Sequence, residues 1–546
     1  MEKFIEFRKA IASGKNSENY CMDFLSAAKT NKFRSSAVAK NYLEALLFAI
    51  GYAPTREIFE NAKSELNRFE KTNLFGVNKL KLINSGLPNS VVQSSFSLTF
   101  VKNLLDAFPE SVQFHSFGSS KEKQLEILAF VLPIAEREQL TKDNFSPVHW
   151  LKKNYANDKK LVLKNLVRLF SGLKCSLEIK EKLYAELLVF VEIQLTEITG
   201  SQFSEPLNFL PFYFHSEGIV KKINALEKIR EKGLIKMTIS DEQKHCLLRK
   251  ARLHLATFLR ETDPFTYANQ KDVHLFDCGR GFSVLIMSTQ VEKRQVFDSY
   301  LGYMAFKNGI PCAYGGAWLF GSNAKIGLNI FPAFRGGESA MIFCQLMRLY
   351  SLEFGVARFT IEPYQIGKGN PEAIQSAAFW FYFKLGFRSV DKNINKVSVR
   401  EFALLKRGRL KFSRPTLLKS FAAAEMEFVL PNYDGNYFDS VAVAEWISSK
   451  INEQYNGDRV EAIQQIRFHW LPKIGKLIGE NELPHLLNLL LFYVYLPSVL
   501  KGNKRRTSEV IQLVVKKITD QETDYVRQLN SLKWLKKEVA LLLKKE

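Results

Sequence analysis

Residues 331–340 read FPAFRGGESA, and an apolar run at helical spacing follows as far as Gly355. The pair Gly336-Gly337 favours a tight turn, and the turn leads directly into the predicted helix. Free backbone N–H groups at a helix N-terminus, together with the helix dipole, bind anions. The stretch therefore predicts a site for a phosphorylated ligand, with a plain tight turn as the alternative.

Predicted strands lead into this stretch and a second helix follows it. Asn308-Gly309 suits a type I′ hairpin turn, and Pro332 cannot donate to a ladder, so the sheet could open there and admit a ligand. A short β-branched segment at 359–361 precedes a helix whose end, residues 382–387, reads YFKLGF. The strands predicted before the turn cover residues 273–276, 282–287, 301–306, 310–313 and 325–331.

Helical periodicity dominates on both sides of this mixed region. We expect three parts: a helical region over 1–265, a mixed α/β domain over 266–412 and a helical region over 413–546. Within the first part, residues 161–169 and 183–195 both carry an amphipathic helical pattern. The fold class predicted is therefore a central α/β domain with a mixed sheet, flanked by two all-α domains.

The composition is that of a globular protein with an unusual charge. The chain has 546 residues, a formal net charge of +21 and six scattered cysteines with no Cys-x-x-Cys pair, so we expect neither a metal site nor disulfides. The N-terminus lacks a signal-peptide pattern and the apolar run 486–500 is too short to span a membrane. These features favour a cytoplasmic protein.

The positive charge predicts a polyanionic partner such as RNA. The basic loop 501–506, which reads KGNKRR, and the lysine-rich last helix are the candidate contacts. The alternative is an ordinary solvated surface.

Taken in order, residues from about 270 to 390 resemble the GNAT acyltransferase superfamily. That family has an Arg/Gln-x-x-Gly-x-Gly/Ala loop before a helix, and Arg335 and Ala340 hold its first and last positions, while Glu338 replaces the middle glycine. The family's second helix ends in Tyr-x-Lys-x-Gly-Phe. Tyr382, Lys384, Gly386 and Phe387 match this pattern. Ala378 also fits the family pattern.

The resemblance implies transfer of an acyl group, most simply acetyl, from acyl-CoA to an amine of unknown kind. Tyr382 is then the candidate general acid. Glu362, after the following strand, is the candidate base, with Glu338 as the alternative. The cofactor-binding residues implied are Phe334, Arg335, Gly336, Gly337, Glu338, Ser339, Ala340, Asn370 and Ala378.

Two other functions fit the same residues. One is a GNAT fold without catalysis that binds RNA or an acidic partner through its basic helices, which the carboxylate of Glu338 in the loop favours. The other is transfer of an aminoacyl group from charged tRNA, as in Fem-type enzymes with paired GNAT folds; only one such unit is recognisable here. After Phe387 the family continues with a strand hairpin, whereas residues 399–406 here favour a helix.

Overall fold

A computed structural model describes residues 2–28, 35–71, 82–142, 144–295, 297–433, 435, 440–474, 483–519 and 521–543. The chain begins with helices that pack on one another and on the central domain. Their apolar faces join the largest hydrophobic core, which also contains the inner face of the main sheet. These first helices are Glu2–Ser13 (α1), Glu18–Ala28 (α2), Ser36–Gly51 (α3) and Arg56–Lys71 (α4).

A small antiparallel sheet follows, so the expectation of an all-helical region over 1–265 is wrong. Its strands are Val91–Ser95 (β1), Val112–Phe117 (β2) and Val189–Gln194 (β3), in the order β1-β3-β2, and they cover their own apolar core. The surrounding helices are Leu98–Ala107 (α5), Lys121–Val131 (α6), Ile134–Arg137 (α7), Pro147–Asn154 (α8), Lys159–Ser171 (α9) and Leu177–Leu187 (α10).

The misassignment of residues 183–195 has a local cause. The helix α10 ends at Leu187, and Leu188 then adopts a left-handed conformation with φ of 48°. Beyond it, Val189, Val191 and Ile193 alternate with partly or fully exposed residues and point into the small core. A two-residue period thus follows a helical period without any glycine or proline to mark the change.

Helices follow the small sheet, together with one short strand that forms an edge of the main sheet. They are Ala225–Arg230 (α11), Ile235–Met237 (β4), Asp241–Thr257 (α12) and Asp263–Thr266 (α13). Ser240 and Gln243 form a capping box at the start of α12, because each side chain accepts from the backbone N–H of the other.

The main sheet has the order β12-β13-β11-β9-β8-β7-β6-β5-β4, and β10 pairs with β8 off that path. The pair of β9 and β11 is parallel and the others are antiparallel. Its further strands are Ala268–Asp277 (β5), Phe282–Thr289 (β6), Ser299–Lys307 (β7), Ile310–Phe320 (β8), Asn323–Ile326 (β9), Asn329–Ile330 (β10), Arg358–Ile361 (β11), Arg388–Ser389 (β12) and Met426–Val429 (β13).

The predicted hairpin of β7 and β8 is confirmed, with Asn308 and Gly309 at φ of 45° and 80° as a type I′ turn requires. The strand predicted over 325–331 is instead interrupted. β9 runs parallel to β11 as far as the pair of Lys325 and Thr360, and β10 then continues along β8 alone in the part of the chain described. The pairing of β9 with β11 therefore ends at Lys325 and Thr360, and we call this point the split in the sheet; the sequence predicts an opening seven residues later, at Pro332.

The strand that completes the sheet comes from the region expected to be all-helical. β13 lies between β11 and β12 and is antiparallel to both. Two helices, Lys392–Lys406 (α18) and Pro415–Phe421 (α19), are inserted between β12 and β13. The predicted helix after Phe387 is thus confirmed, and the sheet is closed by strands on either side of it.

The remaining helices lie on both sides of this insertion in sequence. Ala377, at φ of 51°, breaks the helix predicted before Gly386 into two. The helices that follow β10 and β11 are Ser339–Phe354 (α14), Pro363–Ile366 (α15), Pro371–Gln375 (α16) and Ala378–Lys384 (α17). The C-terminal helices are Ser440–Tyr455 (α20), Arg459–Ile474 (α21), Leu483–Tyr493 (α22), Pro497–Leu500 (α23), Lys504–Ile518 (α24), Glu522–Ser531 (α25) and Lys533–Leu543 (α26).

Candidate functional site

The glycine loop joins β10 to α14 and has one buried and one exposed side. Phe334 ends a short 3₁₀ turn and is fully buried, whereas Arg335 and Gly336 are exposed. Gly336 has φ of 78°, a conformation that side chains with a Cβ disfavour. Ser339 and Ala340 open α14 and are half-buried. The exposed part of the loop is the part that can meet a ligand.

Glu338 points into the protein, away from the exposed side of the loop. Its Oε2 lies 2.7 Å from Lys307 Nζ, and its Oε1 lies 3.6 Å from Arg280 Nη2 and accepts from the Val220 N–H at 2.9 Å. Both Glu338 and Lys307 are buried. Two cations thus compensate the carboxylate, which removes most of the repulsion that it would exert on a bound phosphate.

The N-terminal helices hold the loop from behind. The Glu338 N–H donates to the Tyr52 hydroxyl at 3.2 Å, and the Arg8 guanidinium donates to the carbonyl of Ala333 at 2.9 Å. A Cβ on Gly337 would lie 2.9 Å from the Tyr52 hydroxyl. Gly337 is therefore needed for packing against Tyr52, and the Glu338 amide is already bonded within the protein.

The start of α16 lies beside the glycine loop. Arg335 and Glu372 form an exposed ion pair of 2.9 Å, which joins the loop to the first turn of that helix. Asn370 caps α16 by accepting from the Ala373 N–H, as its position predicts. Ala378 is half-buried at the first position of α17. The structure thus places Arg335 next to the helix that Asn370 caps.

Tyr382 lies in an aromatic cluster between α14 and α17. Its ring makes edge contacts with Phe343 and Phe387, and it lies near Tyr303. Burial raises the pKa of Tyr382, so its phenol stays protonated at neutral pH. The neighbouring Tyr303 hydroxyl donates to the Gly327 carbonyl at 2.7 Å, at the point where β9 ends. Tyr382 is therefore close to the split in the sheet.

Glu362 lies at the other face of the sheet, on the wall of a cavity of about 410 Å³. It is exposed and stands 4.0 Å from Lys325. Trp318 and Tyr300 are stacked at 4.2 Å on this side. The residues that line the cavity come from β8, β9, β11, α20 and the segment before β7: Gln295, Asp298, Trp318, Phe320, Asn323, Lys325, Arg358, Thr360, Glu362, Ser440 and Val441. We call it the sheet-face cavity.

Side-chain alternation along β11 separates the two predicted catalytic residues. Thr360 and Glu362 line the sheet-face cavity, whereas Phe359 and Ile361 are in the core that contains Tyr382. Glu362 and Tyr382 therefore lie on opposite faces of the sheet.

The residues that line the sheet-face cavity include two carboxylates, Asp298 and Glu362, and two cations, Lys325 and Arg358. Lys325 also contacts Glu425 at 3.2 Å, and Arg358 contacts Glu427 at 2.8 Å. These two glutamates are not among the lining residues of the cavity, but they bring two further negative charges to its cations. The sequence predicted Glu362 as a candidate base but none of the other charged residues of this group. The alternation of side chains along β8 and β9 would place Trp318 and Lys325 on the same face of the sheet. No local pattern predicts that β13 and the residue before it place Glu427 and Glu425 beside them.

Comparisons with protein-family models, with curated proteins and with solved structures found no match for this chain. Among the described residues, no group of three or more histidine, cysteine, aspartate or glutamate side chains is placed to hold a metal ion. No helix in the described ranges is both long enough and apolar enough to cross a membrane.

Proposed function

We propose that the chain is an acyl-CoA-dependent N-acyltransferase with a GNAT-like central domain. The order of hairpin, strand, glycine loop, helix, strand and helix supports this proposal, as does the completion of the sheet by the antiparallel strands β12 and β13. The observation that carries it is the split between β10 and β11, with Tyr382 on one side and Glu362 on the other. A thioester that entered the split would reach both faces of the sheet.

Glu362 and Tyr382 would have different roles in the reaction. On the sheet-face side, Glu362 would accept a proton from the acceptor ammonium, directly or through water, so that the free amine attacks the thioester carbonyl. On the core side, Tyr382 would donate a hydrogen bond to the sulfur as the C–S bond breaks. The raised pKa of this phenol favours hydrogen bonding to the thiolate over complete proton transfer.

Asp298 and Glu362 in the sheet-face cavity, with Glu425 and Glu427 beside it, support a cationic acceptor. An ammonium group gains from carboxylates in a partly enclosed site, where charges are screened less than at an open surface. The stacked Tyr300 and Trp318 add an aromatic surface beside it. We therefore propose an amine that is protonated in solution as the acceptor class.

Isothermal titration with coenzyme A tests the proposal at the glycine loop. We compare the wild type with Arg335→Glu, which reverses an exposed charge without removing a buried contact, and with Arg56→Glu as the control at another exposed arginine. We expect a loss of about tenfold or more in affinity for Arg335→Glu alone. Substitution of Gly337 by valine is a poor test because the added atoms would meet Tyr52.

A wild-type protein that does not bind coenzyme A would contradict the acyltransferase proposal. Equal affinity in all three proteins would remove the loop from the binding site. The second candidate is a non-catalytic binding protein, and one observation favours it: the Glu338 amide, which would face a phosphate, is bonded to Tyr52.

A further inference from the structure

The insertion between β12 and β13 carries the strongest local concentration of positive charge that the chain offers outside the candidate site. Residues 392–419 contain nine basic residues and one acidic residue, Glu401, which gives a formal charge of +8 out of +21 for the whole chain. All nine are exposed. They are Lys392, Lys396, Arg400, Lys406, Arg407, Arg409, Lys411, Arg414 and Lys419.

These cations have no partners in the part of the chain that the structure describes. None of the nine side chains forms an ion pair or a hydrogen bond, and none stacks on an aromatic ring. The basic loop at 501–506 is different: Arg505 pairs with Glu509, and Arg506 pairs with Glu538 and stacks on Trp534. The insertion is therefore a better candidate than that loop for contact with a polyanion.

The arrangement on α18 disfavours the helix when nothing is bound. Lys392, Lys396 and Arg400 are spaced by four residues, so they project from one face and repel one another. Lys392 also stands in the first turn, where a positive charge opposes the helix dipole. A negatively charged ligand along this face would reverse both effects, because each cation would gain a partner.

Phe412 adds an aromatic group among the cations. It is 71% exposed, between α18 and α19, and it is next to Lys411 in sequence. Bases of single-stranded nucleic acid stack on such rings while neighbouring cations contact the phosphates. A membrane surface would instead require a broad apolar face on α18, whereas Phe402 and Leu405 of this helix pack against the core and its exposed large apolar side chains are those of Val397 and Val399.

We propose that the insertion α18–α19 binds single-stranded nucleic acid, with Lys392, Lys396 and Arg400 on the backbone phosphates and Phe412 stacked on a base. This surface is distinct from the sheet-face cavity and does not depend on the acyltransferase activity.

The test uses the full-length protein and fluorescently labelled 20-nucleotide strands of mixed sequence, one of RNA and one of DNA, followed by fluorescence anisotropy. The variant Lys392→Glu/Lys396→Glu/Arg400→Glu is compared with the control Lys501→Glu/Lys504→Glu/Arg505→Glu, which changes the net charge equally at exposed positions. If three phosphate contacts are lost, the slope of log affinity against log salt should fall by about 2 in the first variant. Circular dichroism and thermal melting verify that both variants are folded.

Phe412→Ala should weaken binding by roughly tenfold, whereas Phe468→Ala, at another exposed phenylalanine, should leave it unchanged. The two strands differ in the 2′-hydroxyl, so a preference of the wild type for one of them identifies RNA or DNA as the ligand. Equal loss in the two charge-reversal variants would overturn the assignment to this surface. Binding to phosphatidylserine-containing vesicles with no binding to either strand would overturn it in favour of a membrane.

Discussion

Lys307 and Glu338 form a buried ion pair of 2.7 Å that joins the end of β7 to the start of α14. Lys307 also donates to the Arg280 carbonyl at 3.1 Å, and its ammonium lies 5.1 Å from the centre of the Tyr52 ring. Burial lowers the pKa of Lys307, and the charge of Glu338 opposes that shift. The pair therefore holds the glycine loop in place through charges that are buried away from the solvent.

Replacement of Lys307 by methionine should destabilise the protein by about 3–5 kcal/mol, because it leaves the Glu338 carboxylate buried without its closest cation. The double variant Lys307→Met/Glu338→Gln should recover most of that loss. Urea denaturation monitored by tryptophan fluorescence provides the measurement. A single variant as stable as the wild type would show that Arg280 alone is a sufficient partner for Glu338.

Tyr382→Phe should lower turnover on the order of 10²-fold with little change in coenzyme affinity, if the phenol acts on the thiolate. Slow hydrolysis of acetyl-CoA serves as the assay until an acceptor is identified. Tyr350→Phe is the matched control, because this buried hydroxyl donates to the Leu301 carbonyl at 2.9 Å and its loss should cost about 1 kcal/mol of stability only. Unchanged hydrolysis and a lowered melting temperature in Tyr382→Phe would make its hydroxyl structural.

The stability of the protein should fall as the pH is lowered, in part because of His254. Burial, and secondarily the charge of Lys250, lowers the pKa of His254 to about 3. Below pH 6.5, which is about the ordinary pKa of histidine, the unfolded chain binds a proton that the folded chain excludes. The free energy of unfolding therefore loses nothing at this site above pH 6.5, and it falls as the pH decreases toward 3. The slope from this site is at most about 1.4 kcal/mol per pH unit.

His254→Gln should remove that part of the slope, as measured by denaturation between pH 7 and pH 4. His149→Gln, at an exposed histidine, should leave the slope unchanged. Identical slopes in the wild type and His254→Gln would mean that the folded protein accepts the proton at this site.

The two glycines of the loop should respond differently to alanine. A Cβ on Gly337 would lie 2.9 Å from the Tyr52 hydroxyl, so Gly337→Ala should cost about 1–3 kcal/mol through overpacking. Gly336 has open space around an added Cβ but φ of 78°, so Gly336→Ala should cost about 1 kcal/mol through backbone strain. Thermal melting measures both, and Tyr52→Phe should relieve part of the Gly337→Ala effect but none of the Gly336→Ala effect.

Local patterns predicted the parts of the fold that depend on neighbours in sequence. The hairpin turn at Asn308-Gly309, the caps at Ser240 and Asn370 and the helix that begins at Ser339 all follow from residue types within one turn of each other. Each of these features has its physical cause inside a window of a few residues, which is why the sequence alone was sufficient.

The parts that could not be predicted depend on residues far apart in the chain. Whether Glu338 faces a ligand or the interior is decided by Tyr52, Val220 and Lys307, and the contact with Tyr52 spans 286 residues. Likewise, β13 has only four residues and follows a helical region, so its place in the sheet is set by its pairing with β11. Periodicity carries no information about such partners.

The place of β13 inside the sheet also sets an order for folding during synthesis. β11 acquires its neighbour on that side only after residues 426–429 have left the ribosome, whereas the basic insertion α18–α19 emerges before them. A nascent chain that stops in the insertion therefore presents an open strand edge beside its most positively charged surface, and such edges template aggregation. Once residues 426–429 have emerged from the ribosome, β13 can close that edge from within the chain itself.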